Sequence, residues 1–283
     1  MSVNVSVGAC LSCAADQAHQ PYLDGRLRRC TGCGLGWTVP ESGQTPARYD
    51  LDYFTGGGYE DYFLTAPRRF EAGRRLRWLS SVVGPSVLVE AGCAGGYFLE
   101  AARQAGFAVT GVEVSVAATR FAVDRLGVPV QQGHFEQVAP SLRADVVCAF
   151  HVLEHVADPR AFLRAAWDVL TPGGWLALEV PNIASAAARR LGHDWPGLQP
   201  RYHRWHFTPE SLARLLAAAG FDLTRQDTAV FRYYMPLGYR VRHARRLLPR
   251  DWLDLRSPRL THRRRGDLLR VIARRPRDTR SGR

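Results

Sequence analysis

An acid and a group of very small residues follow an apolar run in the first half of the chain. The acid is Glu90, and Gly92, Ala94 and Gly96 follow it at alternate positions, just before a helical pattern of apolar residues. Small residues let the backbone approach a ligand closely, and a helix N-terminus offers it unpaired N–H groups. The pattern predicts a nucleotide-binding strand–turn–helix unit. It is not the dinucleotide fingerprint Gly-x-Gly-x-x-Gly, because Ala94 and Tyr97 occupy the second and third glycine positions.

A second acid, Glu113, ends the next predicted strand, 23 residues beyond Glu90. A carboxylate at this place in a nucleotide-binding sheet can accept both hydroxyls of a ribose. The spacing therefore predicts that Glu90 and Glu113 serve the same ligand.

Four cysteines near the N-terminus form two Cys-x-x-Cys pairs: Cys10, Cys13, Cys30 and Cys33. Two such turns supply four thiolates at the tetrahedral angles that zinc prefers, and four thiolates leave no open position for a water nucleophile. The pattern predicts a structural zinc site. The alternatives are two disulfides, which are disfavoured inside the cell, or four free thiols.

The elements that must position these residues alternate between strand and helix patterns. Strands are predicted near 86–91, 107–113, 128–132, 145–150 and 175–180, followed by strands over 221–231 and 267–273. This alternation predicts an α/β fold with a doubly wound, mostly parallel seven-stranded sheet, whose last strand is antiparallel, plus the small zinc-binding module. Helices are predicted over 65–83, 208–219 and 237–249, the second capped by Thr208.

Several motifs, in order, resemble the class I S-adenosylmethionine-dependent methyltransferases. They are the loop from Glu90 to Gly96, the acid Glu113, the string Leu-Glu-His-Val-Ala-Asp-Pro over 153–159 and the stretch over 200–212. The 153–159 string is similar to that of the small-molecule branch containing the ubiquinone-pathway O-methyltransferases. The resemblance implies S-adenosylmethionine as cofactor. The residues it would contact are Glu90, Gly92, Cys93, Ala94, Gly96, Glu113, His134, Phe150 and His151.

One position departs from the family pattern. Similar enzymes often have an aspartate that accepts the adenine amino group where this chain has His134. A neutral imidazole can still accept one hydrogen bond, and Glu136 or a backbone carbonyl nearby is the alternative acceptor.

Three histidines are candidates for a general base: His155, His203 and His206. The resemblance places His155 after the fourth strand and the other two in the insertion that binds the methyl acceptor in similar enzymes. An imidazole with a pKa near neutrality suits the removal of a proton from a hydroxyl. The alternative for each is a structural histidine that bonds the backbone.

The chain divides into four predicted regions. A zinc module with its linker spans 1–46, an aromatic segment and a helix over the cofactor site span 47–85, the methyltransferase domain spans 86–274 and a basic tail spans 275–283. The Tyr-rich stretch at 49–62 is expected either to close over the cofactor or to pack on the core.

The net charge of +12 also permits a second hypothesis, a nucleic-acid-binding or RNA-modifying protein that uses the zinc module and the Arg-rich C-terminus. The whole excess lies in residues 240–283, so a solvated basic segment is the simpler interpretation. A third hypothesis is an inactive, methyltransferase-like partner subunit. The leading hypothesis is O-methylation of a small molecule, such as a sugar or secondary metabolite, with no nucleic-acid partner.

Composition places the chain among ordinary globular proteins, with 46% hydrophobic and 23% charged residues. No apolar run reaches the length of a bilayer span, and no secretory signal pattern is present, so we expect a cytoplasmic protein. The oligomeric state is left open by the sequence.

Overall fold

The computed structural model describes residues 9–16, 19–39, 65–230 and 266–277. The Tyr-rich stretch at 49–62, the helix predicted at 237–249 and most of the basic tail lie outside these ranges.

The described residues form seven α-helices and eleven β-strands. The strands are β1 (His19–Tyr22), β2 (Leu27–Cys30), β3 (Gly36–Thr38), β4 (Val87–Ala91), β5 (Ala108–Glu113), β6 (Val130–Gln132), β7 (Ala144–Phe150), β8 (Leu170–Pro181), β9 (Trp205–His206), β10 (Asp222–Ala229) and β11 (Leu268–Arg274). The helices are α1 (Thr65–Ser80), α2 (Tyr97–Gln104), α3 (Val116–Leu126), α4 (Phe135–Val138), α5 (Pro159–Val169), α6 (Ala186–Leu191) and α7 (Pro209–Ala218).

The larger sheet has seven strands in the order β10-β11-β8-β7-β4-β5-β6. All neighbouring pairs from β8 to β6 are parallel, whereas β11 runs antiparallel to both β8 and β10. The predicted doubly wound sheet with one antiparallel strand is therefore confirmed. In such a sheet, ligands bind beyond the carboxyl ends of the parallel strands, where the strand order reverses. Here the reversal lies between β4 and β7.

The residues of the central strands explain why they lie in the middle of the sheet. Strands buried on both faces need continuous apolar sequences, and six of the seven residues of β7 are buried. Helices pack over both faces with one apolar side each. In α5 this side includes Phe162, Leu163 and Ala166, and the helix begins at the N-cap Asp158, whose carboxylate accepts the N–H of Arg160.

A second, four-stranded antiparallel sheet joins the cysteine module to the rest of the protein. Its order is β1-β2-β3-β9, so three strands come from the N-terminal module and the fourth from the segment before α7. Gly36 pairs with His206 and Trp37 pairs with Trp205. Cys10, Cys30 and Cys33 belong to the same buried cluster as the core of the larger sheet. The module therefore packs directly on the α/β domain.

Across the helices of the part of the chain that the structure describes, none combines the length and apolarity needed to cross a membrane.

Candidate functional site

The loop between β4 and α2 is held close to β5 by backbone hydrogen bonds. The N–H groups of Gly92 and Cys93 both donate to the carbonyl of Val112, at 2.8 and 3.1 Å. Gly92 has φ +66°, and a Cβ there would lie 2.5 Å from Cγ2 of Val152. Any larger residue at Gly92 would therefore be strained and would push against the turn after β7.

The other small residues of the loop also adopt left-handed backbone conformations. Ala94 has φ +48° and Gly96 has φ +80°. A Cβ at Gly96 would lie 2.8 Å from Val128, so this glycine lets α2 begin close to the chain before β6. The Cys93 thiol turns to the core, because a Cβ on Gly111 of β5 would lie 2.5 Å from its sulfur. The Cys93 sulfur also lies 3.9 Å from the carbonyl oxygen of Ala94, so the side chain links the loop to the core.

Glu113 faces this loop from the end of β5. One carboxylate oxygen accepts the N–H of Ala94 at 2.8 Å, and the other accepts the N–H of Ser115 at 2.8 Å. Burial raises the pKa of Glu113, and these N–H groups oppose the rise. An ionised carboxylate has about four lone-pair sites, so this one can still accept two hydroxyls of a ligand.

Glu90 is a buried acid with an unpartnered oxygen at the same end of the sheet. Glu90 belongs to β4, its side chain is buried, and its Oε2 has no hydrogen-bond partner. Burial raises the pKa of Glu90 well above its ordinary value, and the nearby Arg75 opposes the rise. A buried polar atom without a partner destabilises the folded protein. A ligand that donates a hydrogen bond to this oxygen would remove that cost and would bind more tightly for this reason.

We expect Glu90→Gln to stabilise the protein while weakening cofactor binding. The pKa of Glu90 is higher in the folded than in the unfolded state, so Glu90 ionises first in the unfolded chain as the pH rises. This ionisation favours the unfolded chain, and the free energy of unfolding therefore falls above the usual pKa of a carboxyl group. The neutral amide avoids this loss. The variant should therefore unfold at a higher denaturant concentration than the unmodified chain at pH 7, and the difference should nearly vanish at pH 4.

Chemical denaturation at both pH values measures this gain, and calorimetry measures the affinity for S-adenosylmethionine, the cofactor that the family resemblance implies. Asp124→Asn, on the exposed face of α3, is the matched control and should change neither quantity. Equal stability of Glu90→Gln and the unmodified chain at pH 7 would contradict the expected cost of the buried acid.

A chain of buried and half-buried charges leads from α1 to the residues after β7. The guanidinium of Arg75 lies 2.8 Å from Glu71 and 2.7 Å from Glu179 on β8. His151 lies 3.2 Å from Glu154 and 3.4 Å from Glu179. Burial lowers the pKa of His151, but the hydrogen bond to Glu154 and the negative charges of Glu154 and Glu179 outweigh it and raise the value to about 9. His151 is therefore protonated at neutral pH, which rules it out as a base there.

Arg75 and Glu179 were not predicted from the sequence. The signal for Glu179 is an acid inside the apolar strand Trp-Leu-Ala-Leu-Glu-Val. The α1 sequence contains several arginines with no feature that distinguishes Arg75. Its guanidinium also lies 4.8 Å from the ring centre of Phe150, which is buried.

His134 follows β6, the strand that pairs with β5. It is the exposed N-cap residue of α4, and its side chain caps no helix N–H. The preceding Gly133 donates its N–H to the carbonyl of Glu113 at 2.9 Å. The imidazole is therefore open to a ligand lying along the ends of β5 and β6.

The three histidines predicted as candidate bases form one cluster, in which His203 and His206 are buried and His155 is half-buried. The ring centres of His155 and His203 are 4.7 Å apart, and those of His203 and His206 are 6.3 Å apart. Burial lowers the pKa of all three, well below the ordinary value for His203 and to about 3 for His206. All three are therefore neutral at pH 7.

The hydrogen bonds of two of these histidines define their tautomers. Nδ1 of His155 lies 3.1 Å from the carbonyl of Tyr202, and Nδ1 of His203 lies 3.0 Å from that of Gly197. A carbonyl only accepts, so each Nδ1 carries the proton and each Nε2 presents a lone pair.

The same cluster could also hold a metal ion. The Glu154 carboxylate and one ring nitrogen each of His155 and His203 lie within 4.8 Å of one another. Oε2 of Glu154 is buried and has no hydrogen-bond partner.

The four predicted zinc ligands lie together in the cysteine module. The sulfurs of Cys10, Cys13, Cys30 and Cys33 are all within 4.8 Å of one another. Burial raises the pKa of the Cys33 and Cys10 thiols. At Cys30 burial also acts upward, but the N–H groups of Cys33 and Gly32 dominate and bring the pKa to about 7. N–H groups directed at a sulfur stabilise its thiolate, the form that binds metal.

The chain matches known proteins over the larger sheet and its helices. Residues 66–226 match the methyltransferase domain family. The chain is 32% identical over 171 residues to a ubiquinone biosynthesis O-methyltransferase of Azorhizobium caulinodans, covering 56% of this chain and 67% of the relative. A Methylobacterium protein of the same name is 36% identical over 170 residues, with the same coverage. A crystal structure of a SAM-dependent methyltransferase from Thermotoga maritima superimposes with a TM-score of 0.55 at 20% identity, covering 77% of this chain and 94% of that one.

Proposed function

Because the chain belongs to the class I S-adenosylmethionine-dependent methyltransferases, we propose that it methylates an oxygen of a small molecule, such as a sugar or a secondary metabolite. The observation that carries this proposal is the 2.8 Å hydrogen bond from Ala94 to the Glu113 carboxylate. It joins the loop after β4 and the acid at the end of β5 in one site. The names of the relatives support oxygen as the methylated atom.

The cofactor is proposed to lie along the carboxyl ends of β4, β5 and β6. Glu113 would accept the ribose hydroxyls, and the loop from Gly92 to Gly96 would approach the cofactor with its backbone. Glu90 would accept a donor through its unpartnered oxygen, and His134 would meet the adenine. When bound, S-adenosylmethionine supplies an activated methyl group on a sulfonium. Phe150 and His151 would close the side of the pocket next to β7.

His155 is the residue that we propose as the general base. Its Nδ1 proton is engaged by Tyr202, so Nε2 can take a proton from the acceptor hydroxyl. His203 has the same tautomer as His155, but burial lowers its pKa well below the ordinary value, which makes it a weaker base. His206, with a pKa of about 3, is also a poor base at neutral pH. His203 and His206 are therefore proposed to shape the acceptor site.

The four cysteines are proposed to bind one structural zinc ion. All four have ligand atoms within reach of a single ion, and together they would leave no position for a substrate. Zinc would then stabilise the module without taking part in methyl transfer.

Incubation with S-adenosylmethionine and candidate metabolites, followed by mass spectrometry, tests the proposal. A product heavier by one methylene group is the expected result. With the acceptor so identified, His155→Gln should lower kcat about 10²-fold and leave cofactor affinity unchanged. Asp124→Asn, at an exposed position of α3 away from the cluster, is the control and should keep full activity. Full activity of His155→Gln would exclude His155 as the base.

A further inference from the structure

Thr38, the last residue of β3, joins the cysteine module to the histidine cluster. Its backbone N–H donates to the carbonyl of Arg204 at 2.9 Å. Its hydroxyl lies 2.6 Å from the carbonyl oxygen of His203 and 2.9 Å from Nε2 of His206. One side chain of the module therefore contacts both His203 and His206, in the segment that precedes α7.

The single proton of this hydroxyl defines the direction of both hydrogen bonds. The His203 carbonyl can only accept, so the Thr38 hydroxyl donates its proton there. The hydroxyl oxygen must then accept from His206, which requires the proton of that imidazole to be on Nε2. Thr38 thus selects the Nε2–H tautomer of His206, the opposite of the tautomer found at His155 and His203.

The opposite side of the same segment is held by the turn after β7. The N–H groups of Arg204 and Trp205 donate to the carbonyl of Glu154 at 2.8 and 3.1 Å. The indole of Trp205 donates to the carbonyl of Val156 at 2.9 Å. Residues 203–206 are therefore clamped between Thr38 and the turn that carries Glu154 and His155.

Apolar packing strengthens the same connection. Leu27 of β2 is fully buried in a cluster with Ile183, Trp195 and Leu198, which belong to the insertion that leads to the histidines. A Cβ on Gly197 would lie 2.4 Å from the ring of Trp195, so the Gly197 carbonyl that accepts from His203 sits against this cluster. The insertion thus has the module as its support.

We propose that Thr38 is a positioning residue of the acceptor site, through which the cysteine module holds the backbone of His203 and the Nε2–H tautomer of His206. This inference rests on the proposed function for the role of the two histidines, but the hydrogen-bonding arrangement does not depend on it. The cysteine module would then support one side of the acceptor site through its contacts with residues 203–206.

Nuclear magnetic resonance of the full chain, purified with zinc and labelled with ¹⁵N at histidine, tests the proposal. The pattern of ¹⁵N–¹H correlations distinguishes the two tautomers of a neutral imidazole, and His206→Gln identifies the His206 signals. In the unmodified chain His206 should show Nε2–H. Thr38→Val, which replaces the hydroxyl with a methyl group of similar size, should shift the His206 and His203 signals, and Thr38→Ser should restore them. Thr224→Val on β10 is the matched control and should leave both sets of signals in place.

An Nδ1–H tautomer of His206 in the unmodified chain would overturn the proposal without any variant, as would unchanged signals in Thr38→Val. Calorimetry with S-adenosylmethionine separates this result from the proposed function. We expect the cofactor to bind Thr38→Val as tightly as the unmodified chain, because Thr38 lies on the acceptor side. Absence of cofactor binding in the unmodified chain would instead overturn the proposed function and leave the tautomer result standing.

Discussion

Replacing Glu113 with alanine is expected to lower the affinity for S-adenosylmethionine by about 10³-fold. A hydrogen bond to a charged group contributes about 1.5–3 kcal/mol, and each 1.4 kcal/mol is about tenfold in affinity. The variant would lose the two bonds that we propose Glu113 accepts from the ribose. It also leaves the N–H groups of Ala94 and Ser115 without their acceptor, so the loop after β4 loses its support. Titration calorimetry measures the affinity directly.

Two further variants test whether the loss of affinity is due to the Glu113 carboxylate. Glu210→Ala removes an exposed acid that pairs only with Arg214 in the described contacts, and it should bind the cofactor normally. Glu113→Gln keeps the size of the side chain, so a large loss of affinity there would be due to charge and donor–acceptor chemistry and not to a cavity. Unchanged affinity of Glu113→Ala would favour the inactive, methyltransferase-like partner subunit.

Replacing Cys30 with serine is expected to remove zinc from the protein and unfold the cysteine module. Structural zinc contributes about 10 kcal/mol or more in small zinc-binding peptides at neutral pH, and the described part of the module has few apolar residues besides Leu27 and Leu35 in the core. Atomic emission spectroscopy should find one zinc ion in the unmodified chain and almost none in the variant. Thermal unfolding should begin at a lower temperature.

Cys148→Ala is the control for the cysteine experiment. Cys148 lies in the middle of β7, buried in the core and far along the chain from both cysteine pairs. The variant should keep its zinc and lose only the stability expected of a small core truncation. Equal zinc content in Cys30→Ser and Cys148→Ala would overturn the four-thiolate site and return the alternatives of free thiols or disulfides.

The parts of the fold that could be predicted are those with local sequence signals. The alternation of apolar strands and amphipathic helices predicted the larger sheet, and Thr208 begins α7 as its N-cap, as expected from Thr-Pro-Glu. The reciprocal hydrogen bond from Ser211, which completes a capping box, was not predicted. The strand predicted near 128–132 proved shorter, as β6 (Val130–Gln132), because it is an edge strand with little burial. That near 175–180 proved longer, as β8 (Leu170–Pro181), since it is paired on both sides.

The parts that could not be predicted depend on contacts between distant residues. No local pattern indicates that Trp37 pairs with Trp205, because β9 has only two residues and lies in a polar stretch. Likewise, the ion pair between Arg75 and Glu179 joins a helix and a strand about 100 residues apart. The grouping of His155, His203 and His206 was expected from the family resemblance, whereas their link to Thr38 was visible only in three dimensions.

The pairing of β3 with β9 has a consequence for how the protein is made. About 170 residues separate Thr38 from Trp205, so at roughly 5–20 residues per second the ribosome takes roughly 10–30 s to deliver the second strand after the first. Throughout that interval the edge of β3 that later pairs with β9 has no partner strand, whereas β2 already covers the other edge. The open edge can pair wrongly with other nascent polypeptides. Binding of a metal ion by the two Cys-x-x-Cys turns soon after their synthesis would keep β3 folded in the module until β9 has been translated and can pair with it.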